Sequence, residues 1–389
     1  MKKLYLLTLL ILLPLSVRAL EVDREVVPRI TLGGKLVATA DVIELDSDPA
    51  ADDYISVEDS TVLMRFDKRL YGKGVAGAVV GIEEEDDVTR FQQLHALYWD
   101  QDMKLEIGRT RLRNTLIEFP MLRDESLLTY THVGNASSDD KYDQIYGELV
   151  SADWYFDEKI QRLGVWFGGR RNADKAAFVN APSGFDSHGF SYVYEQPEDL
   201  FYVSRLRHAG IRLDRQQVDV SGSSEWLQAL LVGAEINLNL DPQANWSLSG
   251  QVISNNGIDG VVAAAISNGA ANLVSQRAQA ASVSVVTSVR YAARPHLLTR
   301  WQTALTLAYK EYSDVASARH WSIAPSLFYR IGQGIDLLAQ AMYTDFSAAL
   351  GAGNDTRVQL GIAFSFETVF NDNIGERDSI LNLEHGYIQ

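Results

Sequence analysis

The residues that could act on a solute are charged, and they gather around position 110. Arg109, Arg111 and Arg113 alternate along one stretch, and the longest irregular segment of the first half, residues 114–141, follows them. That segment carries three acids, Glu118, Asp124 and Glu125. Acidic and basic groups that face each other would set up an electric field between them, which would orient a polar molecule and replace part of its water by fixed charges.

Residues of the types used in catalysis come together only once, at His132, Ser137 and Asp139. A catalytic triad is recognised by its geometry, so this spacing within a loop carries little weight. The chain has no Gly-x-Ser-x-Gly element, no His-Glu-x-x-His pair, no phosphate-cradling glycine loop and no cysteine. The sequence therefore predicts no enzyme, no cofactor and no metal site.

The first residues predict export. Lys2 and Lys3 precede an apolar run, residues 4–17, and small residues at the usual cleavage positions end at Ala19. This pattern is typical of a signal peptide over residues 1–19, and the run is too short for a membrane-spanning helix. Cleavage removes three basic residues and no acidic one, which changes the net charge from −16 to −19. Such acidity argues against a nucleic-acid partner.

Side chains alternate strictly near the end of the chain. Between 358 and 366 the even positions are apolar, whereas Gln359, Gly361, Ala363 and Ser365 are small or polar. An extended strand therefore has one apolar and one wettable face. Similar alternation recurs over 230–240, 283–291, 301–310, 321–330 and 335–344. Either an antiparallel sheet over a soluble core or a strand between lipid and a watery lumen would show this pattern.

Aromatic residues decide between these two alternatives. They lie at strand ends on the apolar parity: Trp246, Tyr291, Trp301, Tyr309, Trp321, Tyr329 and Tyr343. This placement is typical of girdles at lipid headgroups, whereas a soluble sandwich buries its tryptophans mid-strand. We predict an all-β fold, a transmembrane antiparallel β-barrel of about 16 strands, with 14 or 18 as alternatives. The barrel spans residues 20–366, and a polar tail follows over 367–389.

With these features in view, the chain resembles the Gram-negative outer-membrane porins. The most specific residues are Gln359, Gly361, Phe364 and Phe366, which look like the closing-strand signal that the barrel assembly machinery recognises in that family. Porins commonly end on that aromatic, whereas this chain continues for 23 residues beyond Phe366. A second resemblance is local: residues 108–113 are similar to a segment of alginate-export channels, whose lumen is basic.

The resemblance to porins implies a constriction. In that family a loop at about this place folds inward, which would put Arg109, Arg111 and Arg113 on the wall, opposite the three loop acids, Glu118, Asp124 and Glu125. Arg109 shares parity with the apolar Leu105 and Ile107, so a bulge is needed to turn it inward. The alternative is an outer loop with solvated charges.

The function expected from this resemblance is passive diffusion of small hydrophilic solutes or ions through a water-filled channel in the outer membrane. The alternatives are a channel selective for oligosaccharides or organic anions, and a non-conducting structural or enzymatic barrel. The expected partners are outer-membrane lipids and lipopolysaccharide, the assembly machinery and the permeating solutes. A homotrimer is compatible with the resemblance.

Overall fold

A computed structural model describes residues 28–45, 53–57, 60–70, 74–85, 88–113, 116–117, 119, 144–157, 160–169, 187–196, 204–220, 223–241, 244–259, 280–293, 300–313, 317–332, 334–348, 353–372 and 374. Its strands are β1 (Arg29–Leu45), β2 (Tyr54–Ser56), β3 (Thr61–Arg69), β4 (Val75–Glu85), β5 (Val88–Trp99), β6 (Met103–Arg113), β7 (Gln144–Phe156), β8 (Gln161–Gly169), β9 (Ser187–Glu195), β10 (Leu206–Val220), β11 (Ser223–Asn237), β12 (Ala244–Asp259), β13 (Ala280–Ala293), β14 (Arg300–Tyr312), β15 (Arg319–Gly332), β16 (Ile335–Phe346) and β17 (Gly353–Phe370).

These strands form one closed antiparallel barrel, because β1 pairs with β17 along almost its whole length. The short β2 and the longer β3 pair with successive parts of β1, so together they occupy one strand position. The barrel therefore has 16 strands, as predicted. In the described part of the chain, no helix is long and apolar enough to span a membrane.

The two faces of the barrel differ as the alternation predicts. Apolar side chains such as Leu230, Val232 and Val252 are exposed on the outer face. Along the same strands, Gly233, Ser249 and Gln251 point inward. In the first half of the barrel the inner wall is more apolar than predicted, since Leu63, Val79 and Leu97 are also buried there.

Connections at the two ends of the barrel differ in length. One end has tight turns, such as Asp100–Asp102 and the link between β15 and β16, whereas the other has the long connections 114–143, 170–186 and 260–279. In the first turn, Asp100 accepts hydrogen bonds from the backbone N–H groups of Asp102 and Met103, both at 2.9 Å, and from the Tyr98 hydroxyl at 2.7 Å. The Tyr98 hydroxyl, followed by the Asp102 N–H, lowers the pKa of Asp100 because both stabilise its carboxylate.

The closing seam explains part of the last strand's sequence. Phe366 lies over Gly34 of β1, where an added Cβ would come within 2.5 Å of the phenyl ring. The side-chain amide of Gln359 donates to the Asp41 carboxylate across the same seam. The last strand continues to Phe370, four residues beyond the predicted end at Phe366, so residues 367–370 belong to the barrel and not to the tail.

Candidate functional site: the inner wall beneath residues 116–119

A lateral row of inward positions crosses five neighbouring strands, β10 to β14. Its members are cross-strand partners in sequence around the barrel: Gly210, Gly233, Gln251, Val286 and Ala308. Directly opposed residues lie about 5 Å apart, so the row is a continuous band on the wall. Two of its members lack side chains, which makes a shallow recess beside the Gln251 amide.

Residues 116 and 117, beyond the end of β6, lie in this recess. The backbone N–H groups of Leu116 and Ile117 both donate to Gln251 Oε1, at 2.6 and 3.2 Å. Ile117 lies over Gly233, and Leu116 lies over Gly210, where an added Cβ would meet Leu116 Cδ2 at 3.3 Å. Gln251 is 1% exposed, so its carbonyl is committed to these two donors.

Apolar contacts hold the same segment on both sides of Gln251. Leu116 packs against Ala229, Leu231 and Ile253. Phe119 packs against a second patch on β13 to β16, formed by Val286, Ala308, Ala324 and Met342. Since β12 lies six strands from β6 in a barrel of 16, these contacts bring residues that closely follow β6 in sequence against a part of the wall that does not adjoin β6.

Charged side chains of the inner wall are paired with one another. Glu235 Oε1 accepts hydrogen bonds from Arg207 at 2.8 Å and from Arg290 at 2.6 Å. Arg212 donates to Asp214 at 2.9 Å. Because each acid faces a fixed guanidinium, the wall presents dipoles of set direction to the lumen rather than isolated charges.

Comparison with known proteins gives a match in structure alone. No family model and no curated protein matches the sequence. An anion-selective porin from Comamonas acidovorans superposes with a TM-score of 0.59 at 14% identity, over 87% of this chain and 99% of that chain. The outer-membrane channel DcaP of Acinetobacter baumannii gives 0.58 at 12% identity, over 87% and 97%. The trimer form of OmpT, an outer-membrane protein of Vibrio cholerae, gives 0.57 at 9%, over 87% and 100%.

The chain has the fold of the outer-membrane porins. Its strand number, its antiparallel closure and its two-faced strands are those of a porin-fold barrel. At these identities the likeness concerns architecture, so the functional residues have to be argued from the chain itself.

The predicted pore-lining arginines lie on β6, near the long-connection end of this porin-fold barrel. Arg109 pairs in register with Leu94, whose side chain is exposed on the outer face. Gly108 has a φ of +129°, yet the pairing of β5 with β6 runs without a shift from Lys104 to Arg109, and no bulge turns Arg109 inward. The register therefore keeps Arg109 on the face of Ile107, in contrast to the predicted wall position.

The other predicted site residues are only partly described. Arg111 and Arg113 belong to β6, but their side chains lie outside the described part of the structure. Glu118, Asp124 and Glu125 lie outside it entirely, as do the signal peptide and the group His132, Ser137 and Asp139. Among the described residues, no group of three or more His, Cys, Asp or Glu could hold a metal ion.

Residues after β17 turn back into the mouth of the barrel at the short-turn end. Asn371 has a φ of +55°, a left-handed conformation that ends the strand. Arg69 Nη2 then donates to the Ile374 carbonyl at 3.0 Å, and the side chain of Ile374 is 5% exposed. Arg29, which holds the buried Asp67 at 2.7 Å, also lies 3.7 Å from Asp372. The tail therefore begins inside the mouth.

Sequence reasoning missed both the Gly210–Ala308 row and the mouth contacts. Gln251 was visible only as one polar residue among several on an alternating strand, and the two glycines resembled ordinary small lumen residues. The one available signal was the apolar character of Leu116, Ile117 and Phe119 at the start of the segment 114–141.

Proposed function

We propose that the protein is an outer-membrane porin, a water-filled channel for passive diffusion of small hydrophilic solutes or ions. The observation that carries this proposal is a closed barrel with an apolar outer face and a largely polar inner wall. A sealed edge and a lipid-compatible exterior suit a membrane, and 16 strands enclose more space than their side chains fill.

Wall contacts of the residues that follow β6 support a constriction. Leu116, Ile117 and Phe119 lie against the inner wall of β10 to β16, which does not adjoin β6. Glu118 lies between two residues that contact the wall, so it is the first candidate for a pore-facing acid, followed by Asp124 and Glu125. Arg111 and Arg113 remain the candidate basic partners on β6.

Selectivity in this proposal comes from where the wall charges lie. The chain is acidic overall, but Arg207, Arg212 and Arg290 face the lumen and are held by acids. A channel with this wall would admit solutes of either sign and would discriminate by orientation and size. The alternative is a channel selective for organic anions. The reversal potential under a salt gradient distinguishes such a channel from a non-selective one.

Assembly and location follow from the same reading. We expect residues 1–19 to direct export and to be cleaved, and Gln359, Gly361, Phe364 and Phe366 to act as the closing-strand signal for the assembly machinery. The trimer form among the similar structures supports a homotrimer. Asp372 and Ile374, which lie at the mouth, would narrow the channel from the short-turn side.

The test is conductance of the purified, refolded protein in a planar bilayer, together with the reversal potential under a salt gradient. Stepwise open channels are expected, with little preference between cations and anions. A barrel that inserts and never conducts contradicts the proposal and favours a structural or enzymatic barrel. A large potential of either sign would favour the selective-channel alternative.

A further inference from the structure

A cluster of aromatic and basic side chains lies on the outer face of the barrel near the long-connection end. It consists of Phe167 on β8, His188 on β9, Arg215 on β10 and Trp226 on β11, and we call it the outer cluster. Phe167 pairs in register with His188, and His188 pairs with Arg215. Three of the four residues therefore stand side by side on adjacent strands.

The rings and the guanidinium of the outer cluster are in contact. The ring centroids of Phe167 and His188 are 6.3 Å apart and stacked, and those of His188 and Trp226 are 5.2 Å apart, edge to face. Arg215 Cζ lies 5.0 Å from the centre of the Trp226 ring. This cation–π contact holds the guanidinium against the barrel with its Nε buried, so the two terminal Nη groups are the donors available to a ligand.

All four side chains point away from the lumen. Phe167 and Trp226 are exposed, whereas Trp166 and Asp214, which precede Phe167 and Arg215 in their strands, are buried. Within the described part of the chain, no carboxylate forms an ion pair with Arg215. A basic side chain on a lipid-facing strand is tolerated near the headgroups and is costly at mid-membrane, so this location belongs at the headgroup level.

An apolar band lies next to the outer cluster on the side toward the short turns. It is formed by Phe190, Leu213 and Leu230, which are all exposed on the outer face. The two surfaces together match a molecule with a negatively charged head and acyl chains. The head would meet Arg215 and His188, and the chains would lie along the three apolar residues.

We propose that the outer cluster binds the phosphate of a phosphorylated glycolipid in the outer leaflet of the membrane, which rests on the proposed membrane location. The Arg215 guanidinium donates to the phosphate oxygens, an arrangement for which its planar fork is suited. Trp226 holds the guanidinium in place, and His188 adds a further donor. Such a contact fixes one lipid at β8–β11 instead of a diffuse shell.

The experiment uses native mass spectrometry of the refolded, full-length protein to measure binding of bis-phosphorylated lipid A. The same lipid after removal of its phosphates is the control ligand, and excess inorganic phosphate is the competitor. Arg215→Gln is compared with Arg319→Gln, which removes the same charge from an exposed position at the same end of the barrel, on β15. We expect Arg215→Gln to weaken lipid binding about fivefold and Arg319→Gln to change it less than twofold.

Several results would overturn the proposal. Equal weakening of lipid binding by the two variants would do so, and so would equal binding of the lipid without phosphates. Displacement of the lipid by inorganic phosphate alone would indicate a free-anion site. A change of oligomeric state in Arg215→Gln would indicate that a second copy of the chain lies on this face. Conductance is recorded in parallel. Because Arg215 faces away from the lumen, Arg215→Gln should conduct like the wild type, so failure of the channel and failure of the lipid site are distinguishable.

Discussion

Ile117 occupies the space that a side chain at position 233 would fill. An ideal Cβ on Gly233 would lie 2.9 Å from Ile117 Cδ1 and 3.0 Å from Cγ1, closer than such atoms approach in proteins. The glycine in β11 thus makes room for a residue 116 positions earlier in the chain, and the contact of Leu116 and Ile117 with the wall depends on it.

A larger side chain at Gly233 should dislodge that segment. We expect Gly233→Val to raise single-channel conductance, because Ile117 can no longer lie in the recess and residues 116–119 leave the wall. Gly250→Val is the matched control, since a Cβ at Gly250 meets nothing closer than 3.8 Å. Unchanged conductance in Gly233→Val would mean that the segment does not narrow the passage.

Removal of the Gln251 carbonyl tests the polar half of the same contact. Gln251→Leu leaves the buried N–H groups of Leu116 and Ile117 without their acceptor, at a cost of about 1–3 kcal/mol for each. We expect frequent brief conductance changes as the segment detaches and returns. Gln251→Glu keeps an acceptor oxygen, so its single-channel current should show few such changes. Equally frequent changes in the two variants would contradict the role of the Gln251 carbonyl in holding the segment.

Neutralisation of Glu235 should shift ion selectivity. Glu235→Gln leaves Arg207 and Arg290 without their shared carboxylate, so the lumen gains positive charge and the permeability ratio moves toward anions, by roughly a factor of two. The reversal potential under a salt gradient measures this shift. Asp345→Asn removes one negative charge from the outer face, where Asp345 accepts from Trp321, and should leave the potential unchanged.

Accessibility of single cysteines tests the position of the tail, because the chain has no cysteine of its own. Ile374→Cys should react with a water-soluble thiol reagent more than tenfold slower than Asp372→Cys, since the Ile374 side chain is 5% exposed and that of Asp372 is 51% exposed. Adding Arg69→Ala to Ile374→Cys should speed its labelling. Equal rates at the two positions would place the tail outside the mouth.

Much of the fold was predictable because its cause is local. A period of two along each strand separates a lipid face from a lumen face. This alternation does not depend on which strand lies next to it. The aromatic positions and the strand number followed from the same residues, and the structure confirms the 16-strand barrel. The end of β17 was predicted four residues too early, at Phe366, because Phe370 has the same parity and the alternation does not show where pairing with β1 stops.

By itself, then, the sequence determined which face meets lipid in the strictly alternating strands of the second half. Only the tertiary structure decided which residues meet across the lumen. Gly210, Gly233, Gln251, Val286 and Ala308 are separated by 18 to 35 residues, and their alignment depends on four strand registers at once. The same reason applies to Arg109, whose face depends on whether one bulge forms, and to Ile374, whose carbonyl meets Arg69 only after the barrel has closed.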